Sequence, residues 1–238
     1  MEMASVQVSG CPTWPEVARV LACLFEKDVE FQLIRPCNYK GLKRMPSLQG
    51  KGLRFSYQDG DGTRHDSREI CKHVAETYAH QGNKDLLAKT GTVERASIDQ
   101  WLETEVERFD RPSTELVLNL GFALPVEADR EVIEKDKQKL NEVLDEYEKR
   151  LQETKYLAGD RFTLADLFHL PNTQFLVSNE ECCSLIRSRK RVSRWWDKLS
   201  LRPSWQRVVE MQQEISRLSE DMRRYRWVDI ELRGYLRT

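Results

Sequence analysis

The chain has 238 residues, enough for one large domain or two small ones with a real core. Its 38 basic residues are balanced by 39 acidic ones, leaving a net charge of −1, which argues against nucleic acid as the main partner because phosphate binding needs a concentrated positive field. No run approaches the roughly 20 apolar residues that span a bilayer, and the start, MEMASVQVSG, has neither a basic nor an apolar targeting segment; a cytoplasmic protein with no membrane partner is expected.

Val6 to Val8 alternates into a short strand, and the turn Gly10-Cys11-Pro12 leads into Val17, Val20, Leu21, Leu24 and Phe25, spaced as one helical face. Val29 to Ile34 reads as a second strand, completing a βαβ unit. Thr13 and Glu16 stand in capping-box relation with Pro15 in the first turn, so a helix cap is the plainer account of Thr13. Leu53 to Gln58 and Thr63 to His65 flank the hairpin turn Asp59-Gly60-Asp61-Gly62, and a helix follows from about Ser67 to Tyr78. This order suits a thioredoxin-like α/β domain over residues 1–82, although spacing alone leaves other small α/β folds open.

Residues 79 to 92 carry little apolar content and read as a linker; an all-helical domain over 93–238 follows. Ile98, Trp101, Leu102, Val106 and Phe109 mark its first helix, which Leu116 to Phe122 continues beyond Pro112. Pro125 opens a long helix to about Thr154, with Ile133, Leu140, Leu144, Tyr147 and Leu151 inward and the charges of EADREVIEKDKQK as a solvated face. In YLAGDRFTLADLFHL, Thr163 and Asp166 form a second capping box and Phe162 can staple to Leu167; Leu164, Leu167 and Phe168 make this helix a buried one. The six cysteines, Cys11, Cys23, Cys37, Cys71, Cys182 and Cys183, lack metal-ligand or disulfide spacing, so no metal is expected.

Y-L-A-G-D-x-F-T-L-A-D resembles the buried-helix motif of the cytosolic glutathione transferases, and RWWDKLSLRPSWQRV resembles that family's closing helices. With the N-terminal half the likeness is closest to the plant phi class and covers residues 4 to 215. It implies the glutathione transferase fold, a homodimer, and glutathione as substrate or ligand. In that class a serine at the start of the first helix donates to the glutathione sulfur, and its position here falls on Trp14, at the mouth of the implied site. Thr13 is one residue away, and Cys11-Pro12 resembles the C-P start of the cysteine-type transferases, three residues early. The candidates for catalysis are therefore Thr13, Trp14 and Cys11.

The candidates for holding glutathione are Lys43 and Arg44, which resemble the family's glycyl-carboxylate contact, Asp66 and Ser67, which resemble its γ-glutamyl contact, and Arg54-Phe55. Arg54-Phe55 stands where the family has valine and cis-proline; a cis bond before phenylalanine is costlier, so a trans bond and a disturbed anchor are expected. Asp66 with Glu69 equally suits a plain helix cap. The implied cleft lies between Cys11 to Pro15 and the helices carrying Trp101, Arg108, Phe109 and Pro112. Two functions stand: a divergent phi-like transferase, or derived enzyme, with weakened glutathione activation and a small apolar substrate, or a noncatalytic carrier or protein-interaction module. The tail, residues 216 to 238, carries Tyr225, Trp227 and Tyr235 among charges; it either packs on the last helices or closes the cleft.

Overall fold

The computed structural model describes residues 6–35, 55–60, 62–122, 129–215 and 217. Four short strands form one mixed sheet: β1 (Val6–Ser9), β2 (Phe31–Ile34), β3 (Ser56–Asp59) and β4 (Gly62–Arg64), in the order β2-β1-β3-β4. β1 runs parallel to β2, with Val6 opposite Phe31, and antiparallel to β3, with Val8 opposite Tyr57. Helices α1 (Pro15–Glu26) and α2 (Ser67–Thr77) pack against each other beside the sheet. The parallel pair needs a crossover, and α1 supplies it. The second strand starts two residues later than its sequence suggests, because Asp28, with φ of 51°, turns the chain and Val29 still donates back to Leu24 of the helix.

Residues 79–92 are better anchored than their composition implies. Leu86 is fully buried and its carbonyl accepts from the amide of Leu164, while the amide of Asn83 donates to Glu26. At Gly82, with φ of +49°, an added Cβ would sit 2.3 Å from the Glu26 carbonyl oxygen, so only glycine allows the linker to lie this close to the end of α1.

The helical part comprises α3 (Val93–Thr104), a π-helical stretch Glu105–Asp110, α4 (Arg111–Val117), a second π-helical stretch Leu118–Phe122, α5 (Arg130–Glu153), α6 (Leu164–Leu167), α7 (Leu170–Ser178), α8 (Cys183–Arg187), α9 (Lys190–Ser200) and α10 (203–215). Two expectations need correction here. Val106 is 47% exposed rather than inward, because i→i+5 winding from Glu105 shifts the helical phase while returning Phe109 to the core. The long helix starts at Arg130, with the Asp129 carboxylate accepting from Glu131 and Val132 amides; Pro125 lies outside the described residues. Its expected inward residues are all buried, but so is Asp136 from the charged face, held by Lys139 at 2.6 Å.

The Thr163–Asp166 capping box is present and sits at the centre of the helical core, with Phe162, Leu164, Leu167 and Phe168 buried around it. Asp166 also accepts from the Leu157 amide at 3.0 Å and Trp195 Nε1 at 2.9 Å. Burial pushes its carboxyl up to about 6, against the pull of those donors. One turn on, His169 Nδ1 donates to the Ala165 carbonyl, which can only accept, so Nε2 must accept from the Tyr147 hydroxyl, at 2.9 Å. Burial holds this imidazole neutral, with its pKa down at about 3. Phe109, Tyr147, His169 and Trp195 form one aromatic cluster around it.

Candidate glutathione site

β1 ends at Ser9, and the next residue, Gly10, donates its amide to Ile34 of β2 at 3.0 Å and has φ of +149°. A Cβ there would meet Val17 Cγ2 at 2.5 Å, so glycine lets the turn fold directly under α1. The next residues differ from the expected capping box. Pro15 takes the first helical position, which makes Trp14 the N-cap, and no side chain accepts from the first-turn amides. Thr13 is thereby outside the helix, and its hydroxyl lies 3.1 Å from Cys11 Sγ. Trp14 is only 8% exposed and belongs to the core, not to an open mouth: its indole lies against Gly10. Cys11 is also buried, at 2% exposure. Of the three catalytic candidates, the half-buried Thr13 is thus the one with some access to solvent.

The turn is held from the other end of the chain. Gln212 Nε2 in α10 donates to the Pro12 carbonyl at 2.8 Å, and Arg35, just after β2, lies 3.7 Å from Glu214. Neither contact was legible in the sequence, since nothing local links residues 12 and 212.

At the start of α2, Asp66 is the N-cap, accepting from the amides of Arg68 at 2.8 Å and Glu69 at 2.9 Å. The capping account of Asp66 therefore holds, and it leaves the second carboxylate oxygen for other donors. Ser67 is buried and accepts from Arg19 Nη1 at 2.8 Å. Accepting leaves its own proton available for donation. Phe55 is half-buried against the core, and its carbonyl is engaged by His65 Nδ1 at 2.9 Å. Lys43, Arg44 and Arg54, with the Arg54–Phe55 bond, lie outside the described residues, as does the tail beyond 217.

Behind Ser67 stands a charged cluster that sequence reasoning missed. Arg19, buried within α1, donates to Ser67 and to the Phe168 carbonyl and lies 3.9 Å from Asp110. Arg68 forks onto both oxygens of buried Glu105, at 2.9 Å each, and reaches Asp110 at 2.7 Å. Desolvation of Glu105 raises its pKa despite Arg68. The only sequence signal was an arginine standing beside the apolar positions of α1. The same helical stretch carries the residues expected beside the cleft. Phe109 points into the aromatic cluster, Trp101 stacks edge-on against Tyr147, and Arg108 pairs with Glu146; the residues that reach α1 and α2 are Glu105 and Asp110.

A model of the glutathione S-transferase C-terminal domain matches residues 101–203. Glutathione S-transferase F10 of Arabidopsis thaliana is 41% identical over 202 residues, spanning 83% of this chain and 93% of that protein. The crystal structure of glutathione transferase F2 from Populus trichocarpa has a TM-score of 0.79 at 43% identity, covering 88% of this chain and 99% of its own. Glutathione S-transferase I from maize, in complex with an atrazine glutathione conjugate, has a TM-score of 0.73 at 30% identity, covering 88% and 99%. With a βαβ-ββα sheet domain, a buried capped helix and a helical half matching in this way, the chain belongs to the glutathione transferase family, with plant phi-class members as its relatives.

Proposed function

We propose that this protein binds glutathione between the Cys11–Trp14 turn and the start of α2, with weakened activation of the thiol, and acts on a small apolar second substrate. The observation that carries this reading is the start of α1. Its serine position holds a core tryptophan, while the neighbouring hydroxyl, Thr13, is turned to Cys11 Sγ. The anchor at the other end is better kept: Ser67 retains a proton to donate, and Asp66 caps α2 through one oxygen, while Arg19 and Arg68 behind them are matched by Glu105 and Asp110 and hold Ser67 in place. Residues 1–82 supply the glutathione half and 93–238 the second-substrate half. The family habit of pairing supports a cytosolic homodimer.

With Phe55 in place of the family's cis-proline, loss of two or three anchoring hydrogen bonds, at about 0.5 to 1.5 kcal/mol each, weakens binding roughly tenfold to a thousandfold, so that glutathione binds in the millimolar range or not at all. Calorimetric titration with glutathione tests this, and a micromolar constant would contradict it. Thr13→Ala abolishes any conjugation under this reading. A second reading, a noncatalytic carrier, is favoured by Trp14, which is buried and brings no hydroxyl to the serine position. It predicts ligand binding without turnover in either the parent or the Thr13→Ala variant.

A further inference from the structure

The turn that carries Thr13 takes its shape from its own residues and its position from a helix at the far end of the chain. Cys11, Pro12, Thr13 and Trp14 form a β-turn, closed by the Trp14 amide on the Cys11 carbonyl at 2.9 Å. Proline suits the second place, and φ at Thr13 is not positive, which makes the turn type I rather than type II. Flipping the central peptide would force a β-branched residue to positive φ, so the internal geometry is stiff. The contact of Thr13 Oγ1 with Cys11 Sγ, at 3.1 Å, also stays inside the turn.

Where the turn stands against the rest of the molecule is decided elsewhere. It follows Gly10 on one side and runs into α1 on the other, at an N-cap that no side chain secures. Among the described residues, one hydrogen bond leaves Pro12 and Thr13 for another element, that from Gln212 Nε2 to the Pro12 carbonyl at 2.8 Å. This carbonyl belongs to the central peptide of the turn. A trans peptide is planar with its C=O and N–H opposed, so the bond that draws the carbonyl toward α10 aims the Thr13 N–H away from it. No acceptor among the described residues takes that N–H. Gln212 is half-buried, and Ile215, at 3% exposure, seats the end of α10 in the core. Glu214 adds a looser hold on Arg35, at 3.7 Å with both side chains partly in solvent.

We infer that Gln212 is a positioning residue: through the Pro12 carbonyl it sets where Thr13 stands against the glutathione sulfur. The inference rests on the proposed glutathione site and adds to it a residue 200 positions away from the turn. Gln212 acts without touching the ligand. Its loss moves the donors of Thr13 and does not remove them.

The test uses the full chain with Gln212→Leu, which loses the donor, Gln212→Lys, which keeps one, and Glu214→Gln as a control on the same helix. The first readout is conjugation of glutathione to an activated aryl chloride, whose chloride the sulfur displaces. The pKa read from kcat against pH belongs to the enzyme–glutathione complex. In Gln212→Leu it moves up by about one pH unit, a tenfold loss of thiolate, while Gln212→Lys restores most of it and Glu214→Gln leaves it in place. The second readout needs no turnover: the rate at which iodoacetamide alkylates Cys11, followed by peptide mass spectrometry. Cys11 is 2% exposed in the tethered turn, and Gln212→Leu raises its rate about tenfold, with fully buried Cys23 and Cys71 unchanged as the measure of an intact fold. A parent without conjugation would defeat the proposed function and leave the Cys11 rates to decide the placement of the turn. An unchanged pKa in an active parent, an unchanged Cys11 rate, or a rise shared by Cys23 and Cys71 overturns the positioning role.

Discussion

Two helices in this protein, α1 and α6, begin in opposite ways. At α6 every element of the cap is in place: Thr163 and Asp166 satisfy each other's amides, and the same carboxylate collects Leu157 and Trp195 from two other segments. At α1 no side chain caps the helix, proline fills the first position, and the nearby hydroxyl turns away to a thiol. Completed hydrogen bonding in a dry core serves stability and leaves nothing for a ligand. An uncapped helix start at a domain edge contributes less to stability and keeps its amides available. The contrast separates a helix start that is satisfied within the core from one whose first amides have no side-chain partner.

The largest expected effect lies at the completed cap. Asp166→Ala strands the amides of Leu157 and Thr163 and the indole N–H of Trp195 in the core, and at about 1 to 3 kcal/mol for each buried unsatisfied group the loss is about 3 kcal/mol or more. Urea denaturation should show a much lower midpoint, and an unchanged one would mean that packing alone sets this helix. Next comes the charged cluster between the halves. Arg68→Ala leaves Glu105 buried without its fork and costs about 3 kcal/mol, which the same measurement reads; a loss below about 1 kcal/mol would show the pair to be replaceable by water.

Acid titration sharpens the comparison further, because two groups beside α6 pull against each other. His169, lowered to about 3, contributes stability that is present above its unfolded pKa of about 6.5 and is lost as pH falls toward 3. Asp166, raised to about 6, contributes stability that is present below its unfolded value and is lost as pH rises through 6. Between pH 4 and 6 the two slopes oppose. His169→Gln removes one of them, so the stability difference between variant and parent should move in the variant's favour by roughly 1 kcal/mol per pH unit on acidification. Denaturation midpoints at pH 6, 5 and 4 check the sign, and a constant difference would show that His169 does not titrate in the unfolded chain as assumed. The smallest effect belongs to the uncapped start: Thr13→Ala should change stability by less than about 0.5 kcal/mol, so a large loss would mean that its contact with Cys11 holds the turn.

The same contrast explains what could be read from the residues alone. A capping box, a hairpin turn and a 3.6-residue period are local patterns, and the elements built on them were found close to where their residues suggested. Trp14 was harder to place, because its burial depends on Gly10 letting the turn fold beneath α1. Arg19 with Asp110, Arg68 with Glu105, and Pro12 with Gln212 are pairings between distant segments, and no spacing rule joins them. The π-helical winding at Glu105 likewise leaves no periodic trace, and it misled the assignment of Val106. Candidate residues could thus be named by type from local motifs, whereas the charge pairing around Ser67 could not.

Gly82 has a bearing on how the molecule moves. With its backbone pressed against Glu26 and Lys27, Asn83 bonded to Glu26, and Glu26 itself forked by Arg202, the connection between the halves is riveted at the far end of α1. A connector fixed in this way is a poor hinge, because the torsions that would swing one half from the other are locked by packing. Under the proposed function, ligand exchange is then a matter of side chains and loops moving on a rigid chassis, and scattering profiles of the protein with and without glutathione should superimpose.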